Sequence, residues 1–250
     1  MKKFCLKLYN RWSHVTCHTS HVEHGLTFIE LIVVATIFSI LAAVSLFQFS
    51  DFNSNISLQN VSQDIALKIV QAQRAGSSGA FPKLRSEQLL ASPPIIIATP
   101  PTFGLYFVYD QVNTVNNNKF FYFTDTSLSS GQSGNKIYDS ATTDADCHQG
   151  ISECLEMITI NSGDTIAGLF AGTGETCLFN MNDDGNIFSE TSGCTPVHYL
   201  NIAFSRPALY AHINAPSVTG VNNAYIIILS KKGNSFKTIK VSSVGQITVE

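Results

Sequence analysis

The chain has 250 residues, 44% hydrophobic and only 13% charged, too apolar a composition for a mostly disordered protein. Its 16 glycines and 8 prolines exclude collagen-like and low-complexity classes. The net charge of −3 hides a basic leader, in which Lys2, Lys3, Lys7 and Arg11 stand against Glu23, so residues 26–250 sum to −6 and argue against a general nucleic-acid coat.

Residues 26–47 read LTFIELIVVATIFSILAAVSLF, with Glu30 as the single charge. An α-helix of about 20 apolar residues crosses the hydrocarbon of a bilayer, so residues 26–48 are a transmembrane candidate. The stretch is longer than the apolar core of an ordinary secretory signal, about 7–15 residues, and no A-x-A cleavage pattern follows it. The basic residues before the span lie in the leader and the first one after it is Lys68. The positive-inside rule therefore places the leader in the cytoplasm and the C-terminal 200 residues outside. An acid inside hydrocarbon costs about 2.5–3.5 kcal/mol on insertion scales and marks either a snorkelling side chain or a function.

The segment His24-Gly25-Leu26-Thr27-Phe28-Ile29-Glu30-Leu31-Ile32-Val33-Val34 resembles the type IV prepilin signal, in which a Gly precedes the cut and a Glu stands fifth in the mature chain. Gly25 and Glu30 fill those places, with Leu26 where Phe is usual and Phe28 where Leu is usual. The resemblance implies that a prepilin peptidase cuts after Gly25 and methylates the new amine of Leu26. It also implies other pilins or pseudopilins and an inner-membrane assembly platform as partners. In that setting the Glu30 carboxylate pairs with the Leu26 ammonium of a neighbouring subunit and acts as an assembly register. His14, Cys17, His18, His21 and His24 cluster in the leader without a paired C-x2-C and H-x3-H framework, and no cofactor or metal is implied.

Beyond the span, Leu58, Val61, Ile65, Ile69 and Ala72 recur at helical spacing, while Gln59, Ser62, Gln63, Lys68 and Arg74 fall off that stripe. One helix is expected over 26–76, apolar first and amphipathic after, with Gly76 and Gly79 supplying the stop. Residues 77–102 hold five of the eight prolines and read as a linker around the apolar run 95–98.

Short apolar and β-branched runs follow at 103–109, 120–124, 157–160, 178–181, 200–204, 224–229, 236–241 and 246–249, bounded by turn residues. The expected fold class is α+β, a long N-terminal helix packed on an antiparallel β-sheet domain spanning 103–250, as in pilins. The runs FGLYFVYD and NIAFSRPALYAHI, with Phe204-Ser205-Arg206-Pro207 and Val241-Ser242-Ser243-Val244-Gly245-Gln246-Ile247, look like the globular domain of the GspH/FimT minor pseudopilins. There a strand ending FxRP leads to a final hairpin closed by VxxxGxI.

Cys147, Cys154, Cys177 and Cys194 all lie in the β-rich part, and an even number in an exported domain favours disulfides over metal. Four cysteines allow three connectivities, of which the sequential one closes the smallest loops. Residues 180–187, NMNDDGNI, superficially match a calcium loop, but Thr191 stands where a bidentate Glu belongs, so a strand-joining turn is the preferred reading.

Two rival functions remain. A DNA-uptake role would use Lys231, Lys232, Lys237 and Lys240, yet strand alternation sends Lys237 and Lys240 to opposite faces, leaving nucleic acid an open partner. A signal-anchored enzyme would need a nucleophile, base or metal set, and after Gly25 the only histidines are His148, His198 and His212, with no hydrolase, zincin or P-loop motif. The expected role is that of a structural, non-catalytic minor pilin or pseudopilin, a single-pass inner-membrane protein that enters a type IV pilus or a type II secretion pseudopilus.

Overall fold

The computed structural model describes residues 27–81, 96–97, 102–110, 117–127, 135–139, 147, 153–174, 176–182, 186–207, 210–216 and 218–250. The chain divides into two compact units at the Phe49/Ser50 boundary. One α-helix, α1 (Phe28–Ser78), begins in the first and ends in the second.

In the first unit, Thr27 caps the helix: its Oγ1 accepts from Glu30 N at 3.3 Å and its carbonyl from Leu31 N at 3.1 Å. Phe28–Ser45 is long and apolar enough to span a membrane, and none of it is buried within the protein. Its hydroxyls bond back to the helix's own carbonyls, Thr36 to Val33, Ser39 to Ala35 and Ser45 to Leu41. Such back-bonding satisfies these hydroxyls within the helix, as a lipid-facing segment requires.

The second unit is antiparallel β with the remainder of α1 against it. In chain order the strands are β1 (Ile96–Ile97), β2 (Phe103–Val108), β3 (Lys119–Thr124), β4 (Thr126–Ser127), β5 (Cys154–Thr159), β6 (Thr165–Gly172) and β7 (Phe179–Met181). They continue with β8 (Ile187–Ser189), β9 (Cys194–Pro196), β10 (Tyr199–Phe204), β11 (Ala211–Asn214), β12 (Asn223–Leu229), β13 (Phe236–Ser242) and β14 (Ile247–Val249). Two five-stranded sheets result, ordered β11-β10-β2-β3-β5 and β14-β13-β12-β6-β9, with β1-β4 and β7-β8 as two-stranded ribbons.

Strand alternation sends one face of each sheet into a single core. Leu105, Phe107, Phe120, Leu200 and Ile202 from the first sheet meet Ile166, Leu169, Ile226, Ile228 and Val241 from the second, together with Leu58, Ile65, Ile69 and Ala72 of the helix. The helix is tied to both sheets. Lys68 pairs with Glu156 on β5 at 2.9 Å, and Gln73 donates to the Gly245 carbonyl at the β13–β14 turn at 3.0 Å. Buried Asp164 accepts from Ser57 on the helix (2.8 Å), from Ser162 (2.6 Å) and from the Lys231 backbone N–H (3.0 Å).

Three details depart from the sequence expectation. Ser62 is fully buried while Val61 is only half-buried, so the inward stripe runs 58, 62, 65, 69, 72, 76. A hydroxyl is tolerated there because Ser62 Oγ donates to the Leu58 carbonyl within the helix. Gly76 does not stop the helix. It lies inside it, and a Cβ at that position would collide with the Phe204 carbonyl at the end of β10. The actual stop is Gly79, whose φ of +65° is the left-handed value a helix C-terminus favours. Arg206 completes that end: its guanidinium donates to the carbonyls of Ser77 and Ser78.

The third departure is β6, the central partner of β12, together with β9 and β11, none of which the apolar runs disclosed. TIAGLFAG carries two glycines and two alanines, and its pairing with β12 shifts register between Ile227 and Ile228, so its alternation is broken. Most of the expected linker, and the five prolines it contains, lies outside the described residues; Ile96–Ile97 within it pairs with Thr126–Ser127.

Gly76→Ala is expected to destabilise the second unit by about 1–3 kcal/mol, the usual range for overpacking a tight contact. Urea denaturation of the full chain in detergent checks it, and a wild-type midpoint would mean that α1 and β10 have room to separate.

Candidate assembly helix and disulfide-stapled faces

Glu30 is the third residue of α1, and Thr27-x-x-Glu30 has the capping-box spacing in which an acid at this place also stabilises the positive end of the helix. The acid stands out in the sequence by its charge, whereas Thr27 is marked only by the T-x-x-E spacing. Gly25 and Leu26 lie outside the described residues. From Phe28 to Val44 the large apolar side chains of the helix are exposed, Phe28 at 79% and Phe38 at 72% among them. A helix apolar on all sides has no single face to bury and needs an apolar surround.

The four cysteines form two disulfides, Cys147 with Cys154 and Cys177 with Cys194, with Cα separations of 5.5 and 6.0 Å. Each staples the outward face of one sheet. On the first, Cys147 and Cys154 pack with Phe121, Tyr106, Tyr138 and Met157. On the second, Cys177 and Cys194 pack with Phe170, Tyr225, Ile227, Phe179 and Ile187. The Tyr225 hydroxyl accepts from Cys177 N at 3.0 Å, which fastens that loop to β12. Burial pushes the Tyr106 hydroxyl up to about 12, with Tyr199 and Tyr138 adding to it, so Tyr106 stays neutral throughout the physiological range.

The residues on either side of Asp183–Gly185 close a hairpin: β7 pairs β8, Asn182 N donates to the Asn186 carbonyl at 3.0 Å, and Asn186 N to Asn182 Oδ1 at 2.7 Å. Residues 183–185 themselves, and with them the calcium question, lie outside the described residues.

The four lysines do not converge. Lys237 sits opposite Ile228 and Lys240 opposite Tyr225, positions on opposite faces of the β12–β13 pair. Lys240 lies over the Tyr225 ring, 5.9 Å from its centroid. Lys231 and Lys232 occupy the β12–β13 turn, which is more than a solvated tip: Lys232 pairs with Asp51 of the helix at 2.5 Å, and Ser235 Oγ donates to Asn55 Oδ1 at 3.1 Å. The turn grips the helix. Of the histidines, His198 and His212 are described and stand on different strands or their flanks, and His148 lies outside the described residues.

The family model of the prokaryotic N-terminal methylation motif matches residues 21–46. The chain is type IV pilin-like. No curated protein and no solved structure matches it. The motif covers the apolar start of α1 and the residues before it, and ends twelve residues short of Leu58, the first buried residue among the described residues of the helix. In type IV pilin-like proteins this motif implies processing by a prepilin peptidase and assembly with other pilins.

Non-reduced, denatured pilin-like chain of full length is expected to titrate two thiols, Cys5 and Cys17, and a chain lacking residues 1–25 none. Reduction should lower the melting temperature, since closing the 17-residue separation of Cys177 and Cys194 is worth about 3 kcal/mol by chain entropy. Four further thiols in the native protein would overturn the pairing.

Proposed function

We propose that the chain is a minor pilin or pseudopilin, a structural subunit without a catalytic step. In this reading it is held in the inner membrane by residues 26–48 with the β domain outside, and is then polymerised through α1 into a type IV pilus or a type II secretion pseudopilus. The observation that carries the reading is the coincidence of the methylation motif with a helix whose first 18 residues bury nothing within the subunit. Such a helix is satisfied by lipid before assembly and by sibling helices after it. Prepilin peptidase cuts after Gly25 and methylates Leu26, an assembly platform extracts the subunit, and Glu30 meets the new ammonium of a neighbour. The affinity to GspH/FimT minor pseudopilins rests on the Phe204–Pro207 and Val241–Ile247 motifs. In this chain the first motif supplies the Arg206 cap on α1, and the second the β13–β14 turn that Gln73 reaches. The DNA-uptake alternative loses its main argument, because its four lysines are dispersed and Lys232 is committed to the helix.

Coexpression with an active prepilin peptidase should move the N-terminus from Met1 to Leu26, and Gly25→Val should block the cut, since a β-branched side chain fills the space at the scissile bond. N-terminal sequencing reads the result, and an uncut wild-type chain would sink the reading.

Glu30 has two physical roles to separate, the helix cap and the intersubunit charge. Glu30→Gln keeps the capping-box side chain and removes the charge; Glu30→Ala removes both. Both variants should insert in the membrane and be cut, and both should be depleted from the sheared-filament fraction, because an unpaired buried ammonium costs about 3–5 kcal/mol. Wild-type incorporation of Glu30→Gln would reduce Glu30 to a cap.

A further inference from the structure

Residues 135–139, Asn-Lys-Ile-Tyr-Asp, form a strap over the outward face of the first sheet, and four consecutive backbone N–H groups in it donate to side-chain oxygens. Lys136 N donates to Asp125 Oδ2 (2.7 Å), Ile137 N to Asn135 Oδ1 (2.8 Å), Tyr138 N to Asn201 Oδ1 (3.0 Å) and Asp139 N to Glu153 Oε2 (2.8 Å). Asp125, Asn201 and Glu153 are completely buried. Burying two acids and an amide is expensive unless they hold something, and what they hold is the exact course of this strap. Tyr138 accounts for part of the arrangement, since its ring covers Tyr106, Phe121 and Phe123 at centroid distances of 4.8, 5.9 and 5.4 Å.

Lys136 is not explained by that covering role. It sits at φ 63°, a left-handed conformation that side-chain-bearing residues adopt uncommonly. Its Nζ lies 3.0 Å from His212 Nε2 on β11, the edge strand of the sheet. The two bases line a cavity of about 310 Å³ with Asn135 and Asn214, and among the described residues that line it there is no acid. The strap's own acid, Asp139, is held by Asn135 Nδ2 at 2.5 Å. Across β10, His212 faces the uncharged Ala203.

From this arrangement we propose that Lys136 and His212 form a binding site for an oxyanion, a carboxylate or a phosphate group, at the β11 edge. With the site empty of an anion, the ammonium donates to an unprotonated Nε2, and burial and then Lys136 hold His212 below the usual histidine range. An oxyanion at this pair accepts from Lys136 Nζ and from a protonated imidazole together, so the charge that Lys136 opposes on the imidazole is offset by the anion in a charge-assisted fork. The sign follows: a bound anion favours the protonated imidazole, so it raises the His212 titration midpoint, and binding tightens as pH falls through that midpoint. The proposal is independent of the filament role.

The test uses the full chain in detergent, labelled at histidine ring nitrogens, with His212→Gln to assign the resonance. Sodium phosphate and sodium acetate are titrated at constant ionic strength against sodium chloride. The expected result is a saturable shift of the His212 signal with one or both oxyanions and an upward move of its midpoint, lost in Lys136→Met and kept in Lys136→Arg. Phosphate alone or acetate alone saturating identifies the class. A response that never saturates, or that equals the chloride response, overturns the site. A second readout covers a variant that fails to fold: in wild-type protein, saturating anion should slow acylation of Lys136 several-fold and leave Lys119 and Lys237 unchanged, and an unchanged Lys136 rate counts against the proposal.

Discussion

The burial of one stripe of α1 against two sheets at once is the constraint on which the β-rich unit depends. Leu58, Ser62, Ile65, Ile69, Ala72 and Gly76 face a core to which both sheets contribute. A stripe so placed has to taper, and small residues stand where strands come closest. Gly76 lets the backbone of β10 approach, and Ser62 occupies a buried place where its hydroxyl is satisfied inside the helix. Around this apolar contact runs a perimeter of polar ties, Asp51 with Lys232, Ser57 with Asp164, Lys68 with Glu156, Gln73 with Gly245 and the helix end with Arg206. Exposed pairs of this kind add little stability each. Their contribution is to the rotation and register of the helix, which a smooth apolar stripe would leave loosely specified.

The same helix obeys the opposite rule at its start. Its apolar side chains from Phe28 onward are exposed on every side, and its hydroxyls are satisfied internally, as lipid or a bundle of like helices requires. Thr27 and Glu30 bring the two demands together at a single turn. The cap closes the first turn of the helix inside the methylation motif, and the acid is thereby carried on a hydrogen-bonded turn. A carboxylate displayed in this way suits a register contact better than one on a frayed end.

Each sheet has a second face, and each solves its covering problem in the same manner. The first is closed by the 135–139 strap and the Cys147–Cys154 bridge, and the second by the β7–β8 ribbon and the Cys177–Cys194 bridge. These small outer clusters are too shallow to hold a loop by burial alone, and a covalent link offsets what they lack. Polar groups finish the covering, with the Tyr225 hydroxyl on one side and Asp125, Asn201 and Glu153 on the other.

Much of this was legible in the residues themselves. The 26–47 run, its single acid and the Gly25 before it mark a candidate span and a methylation motif by length and position, because crossing hydrocarbon is a local requirement that contiguous residues meet. The amphipathic spacing and the strands with compact apolar and β-branched runs, such as 224–229 and 236–241, were readable for the same reason: their pattern is local. Only the tertiary structure decided the rest. β6 hides behind glycine, alanine and a register shift, since its strand identity comes from pairing with β12 and not from its own pattern. Gly76 and Lys232 take their roles from partners 128 and 181 residues away, Ser62 takes its role from the direction of a face, and Lys136 meets His212 across 76 residues. Such placements arise when separate elements share one core, and no window of sequence contains both halves of the contact.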